Sequence, residues 1–149
     1  MTSRTCLAIV LGLLAVSALA GCGDEVKRIS GSNFMLDLLH KQWTEARAAL
    51  QGDQPDLNLL RPIELNLRGR VLRSVEKSYS GDNKQEVINA LKSVTAAFRS
   101  EIMTKLEPAG RTVQLASGVT LEQLRAAFNK VDEQYRRLRA ITASGASAG

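Results

Sequence analysis

Histidine occurs once in the 149-residue chain, at His40, and cysteine twice, at Cys6 and Cys22. A single histidine excludes the paired-histidine metal motifs, and no Cys-x-x-Cys-His is present for haem attachment. Nucleophilic catalysis by serine or cysteine would have to recruit His40 as its base. No cysteine follows Cys22, so the rest of the chain has no disulfide to draw on and must be stabilised by packing. Aromatic residues make up only 4% of the sequence, with a single tryptophan, Trp43. Once Phe98, Phe128 and Tyr135 are assigned to a core, few rings are left for stacking on sugars or bases. No internal repeat is evident, and the length is that of one domain.

The start of the chain, by contrast, is sharply patterned. Arg4 precedes "CLAIVLGLLAVSALA", Cys6 to Ala20, fifteen residues without a charge. A basic start, a short apolar run and a small-residue end are the layout of an export signal. The uncharged stretch from Thr5 to Gly23 is nineteen residues, close to the ~20 of a spanning helix, but no stop-transfer cluster follows it. The run closes on "LAGC": Leu19, Ala20, Gly21 and Cys22. This stretch resembles the lipobox of bacterial lipoproteins. The resemblance covers the first 22 residues only. It implies cleavage between Gly21 and Cys22, a diacylglycerol on the Cys22 thiol and an acyl chain, such as palmitate, on the new amine. The expected division is a signal peptide over residues 1–21, a lipidated tether over 22–31, a folded domain over 32–141 and a disordered tail over 142–149.

The 128 residues from Cys22 onward hold 19 Lys and Arg against 15 Asp and Glu, a net of about +4. In an exported protein this points away from nucleic acid and toward lipid A phosphates, anionic lipids, wall polymer or an acidic protein. Gly23, rather than Asp, follows the lipidated cysteine. By resemblance to enteric lipoproteins, that favours the periplasmic face of the outer membrane over the inner membrane.

Hydrophobic periodicity predicts four helices. Phe34, Leu38 or Leu39, Trp43, Ala46 and Leu50 mark the first, over residues 33–50. The second is ambiguous. Residues 63–71 alternate like a strand, but Leu60, Ile63, Leu67, Val71, Val75 and Tyr79 make a helical stripe that begins beside Pro62. The third, over residues 84–107, is expected to start at an Asn83–Glu86 capping box and to stop at Pro108. The fourth, over residues 121–141, is expected to be capped by Thr120 and Gln123. Residues 111–117 read as a short strand or extended crossing. The expected fold is an all-α antiparallel bundle. The alternative is an α+β fold in which 63–71 pairs with 111–117.

Among the charged residues, Glu101/Lys105, Asp132/Arg136 and Glu133/Arg137 are spaced for surface pairs on helices, worth ~0.2–0.5 kcal/mol each. Arg136, Arg137 and Arg139 suit the end of the last helix. Arg70, Arg73 and Lys77, with Asn66, form a stripe suited to an anionic partner or, more plainly, to a solvated face. Trp43 fits the core, or a partner anchor if exposed. His40 is placed at a polar edge. No catalytic residues, metal site or cofactor other than the acyl chains on Cys22 are expected. The function that follows is a non-enzymatic envelope lipoprotein working by protein–protein contact, as an accessory part of an assembly or as an inhibitor or immunity protein. The alternative is a binder of a small ligand or envelope polymer, through a bundle cavity or the basic stripe.

Overall fold

The computed structural model describes residues 32–146; the expected signal peptide, lipobox and tether lie outside the described residues. The chain is mostly helical. Helix α1 spans Ser32–Leu50. A 3-10 turn, Leu57–Leu59, leads into α2, Leu60–Leu65. A π turn, Asn66–Arg70, kinked at Gly69 (φ 170°, ψ −15°), joins α2 to α3, Val71–Ser78. Helix α4, Lys84–Ala97, continues through a π turn, Phe98–Ile102, and a 3-10 turn, Met103–Lys105. A two-stranded hairpin follows, β1 Leu106–Ala109 and β2 Thr112–Leu115, and then α5, Leu121–Ala146.

The ambiguous second segment is therefore helical. Ile63, Leu67, Val71 and Val75 are all buried on one side, which a strand ending at Val71 could not arrange. The α+β alternative fails at its pairing. Residues 112–115 do form a strand, but β2 pairs antiparallel with β1, Leu106 opposite Leu115 and Ala109 opposite Thr112. The third helix consequently ends two residues early, at Lys105. Pro108 lies inside β1 instead of terminating a helix. A two-stranded sheet has only edge strands, where a missing N–H is tolerated. The turn between the strands places Gly110 at φ +64°, a conformation that glycine reaches without a Cβ penalty.

Pairs along the helices run in opposite numerical order. Asp37 meets Arg139, His40 meets Tyr135, Trp43 meets Asp132, and the Leu50 carbonyl meets Arg125, so α1 and α5 are antiparallel. Asn83, Ser93 and Glu101 meet Ile141, Gln134 and Lys130 in the same way, so α4 and α5 are antiparallel too. Between them lies one core. Trp43 is its centre, fully buried, with ring centroids of Tyr135 at 4.1 Å, Phe128 at 5.3 Å and Phe98 at 5.7 Å. Aromatic contacts of this kind add ~0.5–1.5 kcal/mol each beyond area burial. Phe34, expected in the stripe of α1, is instead 46% exposed, and Leu36 is buried in the first turns.

The expected cap of α5 is present. The Thr120 N–H donates to Gln123 Oε1, and the Gln123 N–H donates to Thr120 Oγ1. The expected Asn83–Glu86 box is absent, because Asn83 is occupied elsewhere. Its Nδ2 donates to the Ile141 carbonyl at 2.7 Å, and its Oδ1 accepts from the Tyr79 hydroxyl at 3.0 Å. These bonds bind the end of α5. Residues 142–146 are helical, which corrects the expected disordered tail over those positions.

Candidate functional site

Among the described residues, two of the places that gather polar side chains against apolar ones involve α1; a third, an open depression of about 500 Å³, lies where Glu101, Lys105, Gln123 and Lys130 stand beside Val119, Ala126 and Ala127. The first is the seam between α1 and α5. Asp132 is four residues before Arg136, but it lies on the inner edge of α5 and is only 3% exposed. The Trp43 indole N–H donates to its Oδ1 at 2.8 Å. Arg47 reaches the same oxygen through Nε at 3.2 Å and through a closer NH2 contact, while Arg136 Nε holds Oδ2 at 3.0 Å. The expected surface pair is thus half of a buried network that also fixes the tryptophan.

One turn along, His40 Nδ1 lies 3.2 Å from the Tyr135 hydroxyl, with the two rings stacked. Burial lowers the His40 pKa from its ordinary 6.5, and the nearby Arg139 and Arg47 lower it further. Burial raises the Tyr135 phenol well above its ordinary value. Both shifts keep the pair neutral. The seam's acid, bases and rings are engaged with one another, an arrangement that locks α1 on α5; Arg47 and Phe128 also line a small cleft of about 90 Å³ with Leu50, Gln51, Arg125 and Asn129.

The second place is exposed. Leu38 and Gln42 of α1, Asn58 of the 3-10 turn, Arg61, Pro62 and Leu65 of α2, and Asn66 and Arg70 of the π turn surround an open depression of about 310 Å³. Asn66 Nδ2 donates to Gln42 Oε1 at 2.7 Å and closes its floor. Leu65 is 54% exposed at its edge. Arg61 donates to the Arg111 carbonyl at 2.7 Å, which ties the hairpin to this side of the molecule. In a regular helix Arg70 would be rotated about 140° away from Leu65. The segment is not regular: Gly69, at φ 170° and ψ −15°, leaves the helical region, the Val71 N–H bonds the Asn66 carbonyl five residues back, and across this kink Arg70 lines the same depression as Leu65.

The expected basic stripe is reorganised by this turn. Arg70, Arg73 and Lys77 are exposed, and none of them makes an ion pair with a described residue. Asn66 does not join them, being buried in the floor. Arg68 pairs with Glu64 at 3.3 Å. Glu101 pairs not with Lys105 but across to Lys130 of α5, at 2.7 Å. Glu133 and Arg137 make no ion pair among the described residues. Leu19, Ala20, Gly21 and Cys22 lie outside the described residues.

Among the described residues, no group of three or more His, Cys, Asp or Glu is placed to hold a metal ion, and no helix is long and apolar enough to cross a membrane. The pattern Gly-x-Ser-x-Gly occurs at residues 145–149, and its first glycine lies in the last turn of α5. Its serine, Ser147, lies outside the described residues. Sequence periodicity missed both Asp132 and the depression. Tertiary burial sets the first, and a change of helical pitch sets the second. No family model, curated protein or solved structure matches the chain.

Proposed function

We propose that this chain is a lipid-anchored protein of the bacterial cell envelope that acts by binding another envelope protein. Cys22 carries the lipid, the periplasmic face of the outer membrane is the favoured site, and the helices form an antiparallel bundle held off the membrane by residues 22–31. The observation that carries the partner-binding part is the exposed face of α2, the π turn and α3. Arg70, which has no ion-pair partner among the described residues, lines a depression there with exposed Leu65, and Arg73 is exposed one turn further on. Anchoring makes a weak contact effective, because both partners share one membrane and the effective concentration rises. The protein then serves as an accessory part of an envelope assembly or as an inhibitor covering an envelope enzyme.

The ligand-cavity reading has less support. The side chains that would line an interior site, Trp43, Phe98, Phe128 and Tyr135, pack on one another at ring-contact distances. Replacing Cys22→Ser tests the anchor. The expected result is an uncleaved precursor that takes up no radiolabelled palmitate. A variant still cut after Gly21 and still labelled would overturn it.

A further inference from the structure

We infer that the depression between α1 and α2 is the seat of an acidic amphipathic helix of the partner protein. This inference rests on the partner-binding reading above and gives it a location and a chemistry. Leu38, Pro62 and Leu65 form the apolar part of the depression, while Arg61 and Arg70 stand on its rim. A volume of about 310 Å³ is at the lower end of what binding clefts provide. That is room for one or two apolar side chains, the anchors that an amphipathic helix presents at i, i+3 or i+4.

The charge on the rim selects the partner. Of the acids beside the depression, Glu64 pairs with Arg68, and Asp56 accepts from Asn58. Among the described residues Arg70 has no carboxylate partner, and Arg61 spends one donor on the Arg111 carbonyl and has others to offer. A partner carboxylate beside the apolar anchors would complete both arginines. A second copy of this chain fits poorly. A two-fold contact through this face would set one cationic face, with Arg61, Arg68, Arg70 and Arg73, against another. A flat anionic membrane would meet the arginines but leave the recess between Leu38 and Pro62 unfilled. The backbone is consistent with this seat: it kinks at Gly69, whose φ of 170° lies outside the helical region, and Leu65 before the kink and Arg70 after it line one depression.

The test places a photo-crosslinking amino acid at Leu65 of the full-length lipoprotein in the cells that produce it. Control positions are the exposed Gln85 of α4 and Glu133 of α5. The expected result is a protein adduct at Leu65, mapped by mass spectrometry to a segment with apolar residues at helical spacing and a surplus of Asp and Glu. Arg70→Glu should reduce that adduct about tenfold, and Arg70→Lys only slightly. Both sites are exposed, and circular dichroism checks that the variants stay folded. Protein adducts at Gln85 or Glu133 but not at Leu65 would overturn the seat and leave partner binding standing. No protein adduct at any of the three would overturn both. A lipid adduct, a second copy of the chain, or a partner segment without acidic surplus at Leu65 would each overturn the acidic-helix assignment.

Discussion

Asp132→Ala is the sharpest test of how the domain is held together. The substitution leaves the Trp43 indole N–H, in a fully buried side chain, without an acceptor. An orphaned buried donor costs ~1–3 kcal/mol. Arg47 also loses its partner, but its side chain is 30% exposed and can turn to water. Breaking a fully buried ion pair costs ~3–5 kcal/mol, so this half-exposed one belongs well below that range. Arg136, at 71% exposed, adds only a few tenths, as surface ion pairs do. The sum is about 3 kcal/mol, equivalent to a fall in melting temperature of roughly 10 °C for a domain of this size. Asp132→Asn keeps an acceptor for the indole and should lose about half as much. Urea unfolding followed by the fluorescence of Trp43 measures both. Pairing Asp132→Ala with Trp43→Phe, followed by circular dichroism, should give a coupling of about 1–2 kcal/mol. A loss below ~0.5 kcal/mol for Asp132→Ala would refute the buried network and return Asp132 to the surface pair that its spacing with Arg136 suggests.

Three further outcomes follow from single contacts. His40 has a folded pKa below its ordinary 6.5 because of burial and the nearby Arg139 and Arg47, opposed by Asp37. Its neutral form therefore contributes stability that is present above pH 6.5 and is lost as pH falls through the lower folded value. The urea midpoint should drop on acidification below about pH 6.5, and His40→Gln should flatten that slope relative to the parent; equal slopes would refute it. Thr120→Ala removes the reciprocal cap of α5 and should cost about 1 kcal/mol in the same unfolding assay. Asn83→Ala frees the Ile141 carbonyl, so amide exchange over residues 142–146 should quicken while exchange at Val131 and Tyr135 stays slow.

How much of this was legible in the sequence divides along a physical line. Periodic apolar residues fixed the helices, since Leu39, Trp43, Val87, Phe98, Leu124 and Tyr135 recur at the spacing that a single buried face requires. The cap at Thr120 was legible because both of its partners lie within four residues. What escaped depends on neighbours distant in sequence or on a change of pitch. Asp132 looked like a surface acid because Arg136 follows at four residues, whereas its decisive partner, Trp43, is 89 positions away. Asn83 looked like a cap but was claimed by Ile141, 58 positions later. The same bonds order a Gly/Ser/Ala-rich end that composition marked as a tail. A Cβ at Gly145 would fall onto the side chains of Asn83 and Tyr79, so the glycine admits them against the helix.

The π turn is the deepest of these gaps. A stripe laid out at a constant 3.6 residues per turn put Asn66 with Arg70, Arg73 and Lys77 on one outer face. Asn66, three residues after buried Ile63, turns inward to Gln42, and across the kink at Gly69 Arg70 lines the same depression as Leu65. The kink leaves apolar residues on both sides of it in the core, Ile63 and Leu67 before and Val71 and Val75 after. The apolar pattern alone therefore reads the same with or without the turn, although the polar face it presents is different. The core constrains the buried side of this segment, and the kink at Gly69 determines which charges stand together on its exposed side.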